Sequence, residues 1–403
     1  MPHALAQAVE MATTALTVVS MGFFLAAIVA ARVYLFGRRR LLRDIDRSGA
    51  ASEFVPGVSI LKSLKGLDPS MTEAFRSHCR QSYGGEFELL FGVTSMDDPA
   101  VAAVQHLRAE FPERAIQLIE CPERLGTNGK VSTLVQLARH ARFNYLLIND
   151  SDITVSPRYL DRVMSCFAPE REGASKSQVG LVTALFYGRA HGTPLSRMES
   201  LGIATDFMAG VLVSKMIEGG LHYGMGSTLA VRRDALDKIG GLIQLVDHLA
   251  DDFELGARVS QAGYSVALCP EVVETGIPAY NWRGFVEHQL RWLRTVRDAR
   301  PAGYAGLLFT HGLALALVNI VASGLSPLSL WLLALSYFLR LSVAMAVGAE
   351  VLGDHQVLGS LWMLPMRDVI AMGLWIAGFA GNTIVWRGER FVLERGKLER
   401  DSG

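Results

Sequence analysis

Four short stretches carry residue types that could do chemistry together. Asn149-Asp150-Ser151-Asp152 places two carboxylates one residue apart, directly after the apolar run Tyr145–Ile148. Hard carboxylate oxygens suit Mg²⁺ or Mn²⁺, and such an ion bridges ligand phosphates. Asp97-Asp98 follows a second apolar run, Glu88–Val93, where an acid can accept a hydrogen bond from a base or a ribose. Asp251-Asp252 opens an apolar pattern at Phe253, Leu255, Ala257 and Val259, and Asp252 is the candidate general base. His288-Gln289-Leu290-Arg291-Trp292 sets a histidine, a guanidinium and an indole on one helical face, suited to holding a diphosphate and covering a sugar.

Each stretch has a plain alternative. Asp-Asp-Pro is a good turn, and Asp-Ser-Asp a good Asx turn. Asp251-Asp252 can cap a helix. Arg283, Arg291, Arg294, Arg297 and Arg300 alternate with Phe285, Leu290, Trp292, Leu293 and Val296, a pattern that suits an amphipathic helix on a membrane surface.

The elements that must position these residues alternate. Val58–Leu61, Glu88–Val93, Ile116–Ile119, Tyr145–Ile148 and Val179–Leu185 read as strands, and Met71–Cys79, Ala100–Phe111 and Lys130–His140 as helices. That order predicts an α/β domain with a largely parallel sheet, whose ligands sit at the carboxyl ends of the strands. Acids just beyond strand ends are therefore the ones that matter.

The 403-residue chain has 39 Lys+Arg against 39 Asp+Glu, so it lacks the basic excess of a nucleic-acid binder, and no nucleic acid is expected as a partner. Its mean hydropathy is positive, unusual for a purely soluble protein. Cys79, Cys121, Cys166 and Cys269 are too widely spaced for a zinc site or a disulfide framework. Met11 to Ala31 is free of charge and long enough to cross a bilayer, and Arg38, Arg39, Arg40 and Arg43 follow it, which predicts a start-anchor helix with the next domain in the cytoplasm.

Ala302 to Leu339 is again uncharged, broken at Gly324 and Pro327, and reads as a helical hairpin; Val369–Trp386 is a further apolar stretch. The expected organisation is an anchor over 11–36, a catalytic domain over 55–300, membrane helices over 302–386 and a basic tail over 387–403. One crossing before the domain and three after it would put that tail outside, against its arginines. Either one stretch is re-entrant, or Val351–Pro365 adds a crossing. Pro194–Met225 reads as an interfacial segment on the acceptor side or as a buried core helix.

Taken in order, these stretches resemble the inverting family 2-like glycosyltransferases, and more closely ceramide glucosyltransferase and its bacterial relatives, including the hopanoid-biosynthesis enzymes. The resemblance rests on Gly57-Val-Ser-Ile-Leu-Lys-Ser-Leu-Lys-Gly-Leu-Asp-Pro69, Asp97-Asp-Pro-Ala100, Asp150-Ser-Asp152, Ala250-Asp-Asp252, Arg291-Trp292 and Trp386-Arg-Gly388. It implies a GT-A nucleotide-sugar-binding domain between an N-terminal transmembrane helix and C-terminal transmembrane or interfacial helices. It implies a UDP-sugar donor, a divalent cation (Mg²⁺ or Mn²⁺) at Asp150 and Asp152, Asp98 near the nucleotide and Asp252 as base. Lys130, in Gly126-Thr-Asn-Gly-Lys130, matches a lysine of the family's donor-site loop. His288 stands where the family usually has Gln or Arg.

The implied reaction moves a sugar to a membrane lipid, ceramide or a hopanoid, in a bacterial inner membrane. N-acetylglucosaminyl transfer to a hopanoid is the sister reading, and a non-catalytic membrane scaffold or transporter is the alternative of another class.

Overall fold

A computed structural model of the chain describes residues 2–48, 54–68, 70–168, 177–386 and 389–400. Pro69 and the Arg387-Gly388 pair of the stretches quoted above lie outside the described residues.

Helix α1 (Pro2–Ser48) leads into strand β1 (Val58–Ser63), helix α2 (Met71–Cys79), β2 (Phe87–Val93), α3 (Ala100–Glu110), β3 (Ala115–Glu120), α4 (Gly129–His140), β4 (Tyr145–Ile148) and the short β5 (Ile153–Thr154). Then come β6 (Val179–Ala190), α5 (Pro194–Gly202), α6 (Met208–Glu218), β7 (Leu229–Arg232), α7 (Asp251–Gln261), β8 (Ser265–Ile277) and α8 (Trp282–Ala299). Helices α9 (Gly312–Ala322), α10 (Pro327–Val343) and α11 (Leu364–Gly378) precede β9 (Thr383–Trp386), β10 (Glu389–Glu394) and β11 (Lys397–Arg400).

The sheet order is β3-β2-β1-β4-β7-β6-β8-β5. The sheet is mixed: β3, β2, β1 and β4 run parallel, β7 pairs antiparallel with both β4 and β6, β6 and β8 are again parallel, and β5 closes the edge antiparallel to β8. The direction reverses at β7, so the strand end carrying Asp150 faces the turn that enters β7. β1 and β2 are buried along their whole length, because helices cover both faces.

Local chemistry sets the helix starts. The Asn128 side chain accepts from Val131 N at the start of α4, and Asn281 does the same for Gly284 N on α8. Pro194 and Pro327 occupy the first turns of α5 and α10, where a missing N–H costs nothing, behind the caps Thr193 and Ser326.

Among the described residues, four helical stretches are long and apolar enough to cross a membrane: Ala4–Arg43, Pro194–Glu218, Pro327–Val351 and Gln356–Gly378. A fifth stretch, Pro301–Thr310 with α9, bends by 63°. Helix α9 runs back along α1. A side chain at Gly312 would meet Phe24 and Ser20, while Asn319 accepts hydrogen bonds from Thr13 and Thr14. Helix α10 returns: Arg340 lies over the Phe24 ring, and Glu350 pairs with Arg32.

Helix α11 begins and ends against the sheet domain's side. Gln356, just before it, reaches the backbone of Gly188 and Ala190, and Arg297 of α8 donates to Gly378 O at its end. The residues after it pair with the domain directly, Leu398 N donating to Asp247 O at 2.7 Å. The described residues of the tail are therefore in direct contact with the sheet domain. The apolar run read as Val369–Trp386 is helix to Gly378 and strand from Thr383.

The segment at 194–218 is the seam between sheet and apolar helices. It packs on β6 and on α1 and contains one π-helical turn, Ile203–Phe207. Asp206 in that turn pairs with the fully buried Arg340, which also donates to Asp368 at 2.9 Å and to Thr205 O at 2.9 Å. Arg367 completes a neutral set of two arginines and two carboxylates. Charges this deep persist only when paired.

Candidate active site

The acid-bearing stretches meet at the carboxyl ends of β1, β2 and β4. Asp98 caps its own turn, accepting from Ala100 N at 2.8 Å, and takes Gly66 N on both oxygens, at 3.0 and 3.1 Å. Two residues on, Asp68 accepts from Ser151 Oγ at 2.7 Å. The loop after β1 thus ties Asp98 to the Asp-Ser-Asp turn.

Asp150 and Asp152 are held differently. Asp150 Oδ1 lies 2.8 Å from Lys130 Nζ, and its carbonyl accepts from Lys62 Nζ at 3.0 Å. Asp152 Oδ2 accepts from Thr275 Oγ1 at 2.6 Å and Gly276 N at 3.1 Å, at the point where β5 pairs with β8. Burial, and then the charge of Asp150, push the Asp152 carboxyl up to about 6. Two carboxylates that repel one another on hard-oxygen geometry fit a divalent cation. Among the described residues no third His, Cys, Asp or Glu joins them. Mg²⁺ characteristically takes one or two carboxylates and completes its shell with phosphates and water, so the pair suits an ion shared with a diphosphate.

Asp252 sits in the first turn of α7. Its Oδ2 accepts from Gly226 N at 2.7 Å and its Oδ1 from Phe253 N at 2.8 Å. Burial and then Asp251 raise it to about 6, against Lys130, which is attractive. Its neighbour Asp251 turns the other way, to Lys130 Nζ at 3.2 Å. Burial alone would discharge Lys130; Asp150 and Asp251 outweigh it and hold the ammonium firmly protonated.

Gly226 lies between the two acid sites. A methyl group there would stand 3.2 Å from Asp150 Oδ2 and 3.3 Å from Asp252 Oδ2. Gly256 on α7 is equally constrained, since a Cβ would come within 2.1 Å of Gly224 N. That absence of a side chain lets α7 press against the 223–226 turn and bring Asp252 to it.

Helix α8 supplies the remaining candidates. His288 Nδ1 and Gln289 Nε2 each lie 3.2 Å from Glu199 Oε2, a carboxylate buried at the end of α5. His288 lies between Tyr280 and Trp292, its ring tilted by 31° and 40° to theirs at separations of 5.5 and 5.8 Å, and Trp292 meets Phe207 at 5.5 Å. Burial and the negative charges of Glu199 and Asp152 push the Tyr280 phenol up, against the opposing Arg291.

The interfacial pattern of α8 has another explanation. Arg294 and Arg297 cap the carbonyls beyond α11, Arg283 pairs with Glu287 one turn on, and Arg300 binds Ser214 and Glu218.

Several site neighbours were not singled out from sequence. Lys62 is a fully buried lysine inside an apolar strand, pushed down to about 7 by burial that Asp152 and Asp150 only partly offset. A charged residue in such a run is a readable signal. Glu199 gives the same signal in an apolar helix. Gly226, Thr275 and Tyr280 carry none, because their importance lies in what the fold sets opposite them.

An α/β sheet that reverses direction beside an Asp-x-Asp turn, with a buried late aspartate and an aromatic, basic helix, defines a GT-A glycosyltransferase domain. The chain belongs to glycosyl transferase family 21, whose model matches residues 18–399. It is similar to ceramide glucosyltransferase 3 of Caenorhabditis elegans, 24% identical over 369 residues, covering 85% of this chain and 74% of the relative. It is also similar to ceramide glucosyltransferase 1 of the same organism, 23% identical over 360 residues, with coverages of 86% and 74%. Among solved structures, the mannosyltransferase PcManGT from Pyrobaculum calidifontis in complex with GDP-Man and Mn²⁺ is 19% identical, with a TM-score of 0.49 over 90% of this chain and 97% of that one. The chain is accordingly a glycosyltransferase and a membrane protein.

Proposed function

We propose that this glycosyltransferase moves a hexose from a UDP-sugar to a membrane-lipid hydroxyl with inversion, in the manner of a UDP-glucose:ceramide transferase. The observation that carries the reading is the placement of Asp150 and Asp252 on either side of Gly226, so that one bound sugar can meet the phosphate-side acid and the base together.

The acceptor oxygen attacks the anomeric carbon as the bond to the diphosphate oxygen breaks, and its proton passes to Asp252. A carboxylate raised towards neutrality is a competent base for a proton that leaves as the new bond forms. The leaving UDP gains negative charge. Asp150 and Asp152 would hold a divalent cation, which supplies Lewis-acid stabilisation of that charge. Lys130, Arg291 and His288 face the same ligand as donors, Trp292 and Tyr280 cover the sugar, and Asp98 orients the nucleoside side through the Gly66–Asp68 loop. One in-line displacement inverts the anomeric centre.

The lipid acceptor is supported by the position of the seam at 194–218. The arginines that follow the apolar part of α1 support a cytoplasmic domain and tail, and a bacterial inner membrane suits a chain of this organisation. The test is incubation of membranes holding the chain with labelled UDP-glucose and UDP-N-acetylglucosamine, with ceramide or a hopanoid polyol. Mass spectrometry of the lipid fraction should show a monoglycosyl lipid, and proton NMR of its anomeric centre should show the β linkage that inversion requires. Nucleotide-sugar hydrolysis with no labelled lipid would overturn the acceptor assignment.

A further inference from the structure

The C-terminal residues, basic by composition, form a three-stranded sheet whose β10–β11 hairpin turns at Arg395 and Gly396, both with positive φ (48° and 80°). Such turns match the twist of paired strands. That turn reaches both halves of the candidate site.

On one side it grips the loop before Asp251. Leu398 N donates to Asp247 O at 2.7 Å, Leu249 N donates to Gly396 O at 3.3 Å, and His248 bridges Lys397. Leu249 is buried in the small core formed by Ile384, Phe391, Leu393 and Leu398. The same loop anchors the stretch that carries Lys130. Asp247 Oδ1 accepts from Thr127 N at 2.9 Å, Val246 O from Asn128 N at 2.6 Å, and His248 O from Asn128 Nδ2 at 2.7 Å. On the other side, Gly396 N donates to the carboxylate of Asp298 on α8, and Arg294 of α8 reaches Thr383 O at the start of β9.

We propose that this C-terminal sheet is a positioning clamp that fixes the Lys130/Asp251/Asp252 side of the site at a set distance from the His288/Arg291/Trp292 side. The two sides sit on different elements, α4 and α7 against α8; α7 and α8 are also joined through β8 and through Tyr223, which stacks on Phe253 of α7 and lies under Arg300 at the end of α8. A diphosphate held by both needs them placed within a fraction of an ångström of the productive geometry. The sheet acts through Asp247–Leu249 and Asp298 and touches no substrate.

The inference rests on the reading that Asp252 and α8 serve one site, so Asp252→Asn is included in the test. The full chain is purified in detergent as wild type, Asp252→Asn, Asp298→Ala, Leu398→Asp and the conservative Leu398→Met. Tryptic cleavage after Arg395 and Lys397 reports whether the sheet is docked. Sugar transfer is measured at a temperature well below each variant's melting midpoint, so that loss of folded protein does not enter. Asp298→Ala and Leu398→Asp should be cleaved faster and show kcat about tenfold lower or more, with Leu398→Met like wild type. Faster cleavage at wild-type kcat, with Asp252→Asn inactive, overturns the clamp and leaves the site reading intact. An active Asp252→Asn overturns the site reading and the clamp with it. If Leu398→Asp does not fold, Asp298→Ala alone decides between the same outcomes.

Discussion

Lys130 Nζ lies 2.8 Å from Asp150 Oδ1, so the lysine in the first turn of α4 already neutralises one oxygen of the Asp-x-Asp turn. It also reaches Asp251 at 3.2 Å, which makes it the electrostatic link between the cation-side acids and the helix that carries Asp252. Asp150 and Asp152 would hold a divalent ion supplying Lewis-acid stabilisation, and Lys130 would add a second positive charge on the same side of the turn.

Cation dependence is the first expected outcome. Transfer should fall to background in EDTA and return with Mg²⁺ or Mn²⁺, and Asp152→Asn should lose most activity while remaining folded. Hard-oxygen sites of two carboxylates bind Mg²⁺ only with help from phosphates. Wild-type activity that is indifferent to EDTA sinks the assignment.

Asp252→Asn keeps shape and removes basicity. A fall in kcat of about 10²–10⁴-fold is expected, the usual range for loss of a general base. Asp251→Asn should slow kcat less, because Asp251 faces Lys130 whereas Asp252 faces Gly226. Rates for the two variants, measured beside their melting midpoints, separate catalysis from helix capping, whose loss typically costs about 1 kcal/mol.

The pH profile should carry an acid limb near 6. The Asp252 carboxyl is raised, so it is protonated and inactive below that pH and ionised above it. The same shift means that the fold binds this proton more tightly than the unfolded chain. Its contribution to stability is therefore greatest below the ordinary carboxylate range and is lost as pH rises through about 6. Rate against pH should rise towards neutrality while this group's effect on the melting midpoint falls. An acid limb near 4 would contradict the environment described for Asp252.

Arg291→Ala should lower kcat more than it raises the acceptor KM, because the charge it meets develops at the leaving diphosphate. Normal turnover in detergent with loss of membrane association would return α8 to a purely interfacial role.

Arg340→Leu tests the seam. It leaves Asp368 and part of Asp206 without their partner in a fully buried place. Breaking one side of a buried pair costs about 3–5 kcal/mol, so the melting midpoint should drop sharply. A double change, Arg340→Leu with Asp368→Leu, should recover part of that loss because no charge at 368 is then left unpaired.

The sequence by itself determined what is local. Tyr145–Ile148 is an apolar run ended by Asn149-Asp150, and the strand falls on those same four residues, with the acids at its carboxyl end. Helix Met71–Cys79 likewise matches, because its apolar spacing and flanking breaks lie within one window. The resemblance to family 21 was legible for the related reason that its short stretches survive in order along the chain.

Only the tertiary structure decided the pairings between distant segments. Nothing near Leu229–Arg232 says that this strand inserts antiparallel between β4 and β6, yet that insertion faces Gly226 towards Asp150. The arginines of α8 have the composition of a membrane-surface helix, and the fold gives three of them, Arg294, Arg297 and Arg300, partners remote in sequence: carbonyls at the end of α11 and the Glu218 carboxylate. The charged tail has the composition of a solvated arm; it becomes a sheet whose Phe391, Leu393 and Leu398 bury themselves with Ile384 and with Leu249, a remote partner the hydropathy of the tail cannot reveal. Hydropathy and period report the environment a segment needs, and the partner that supplies it is fixed only when the whole chain packs.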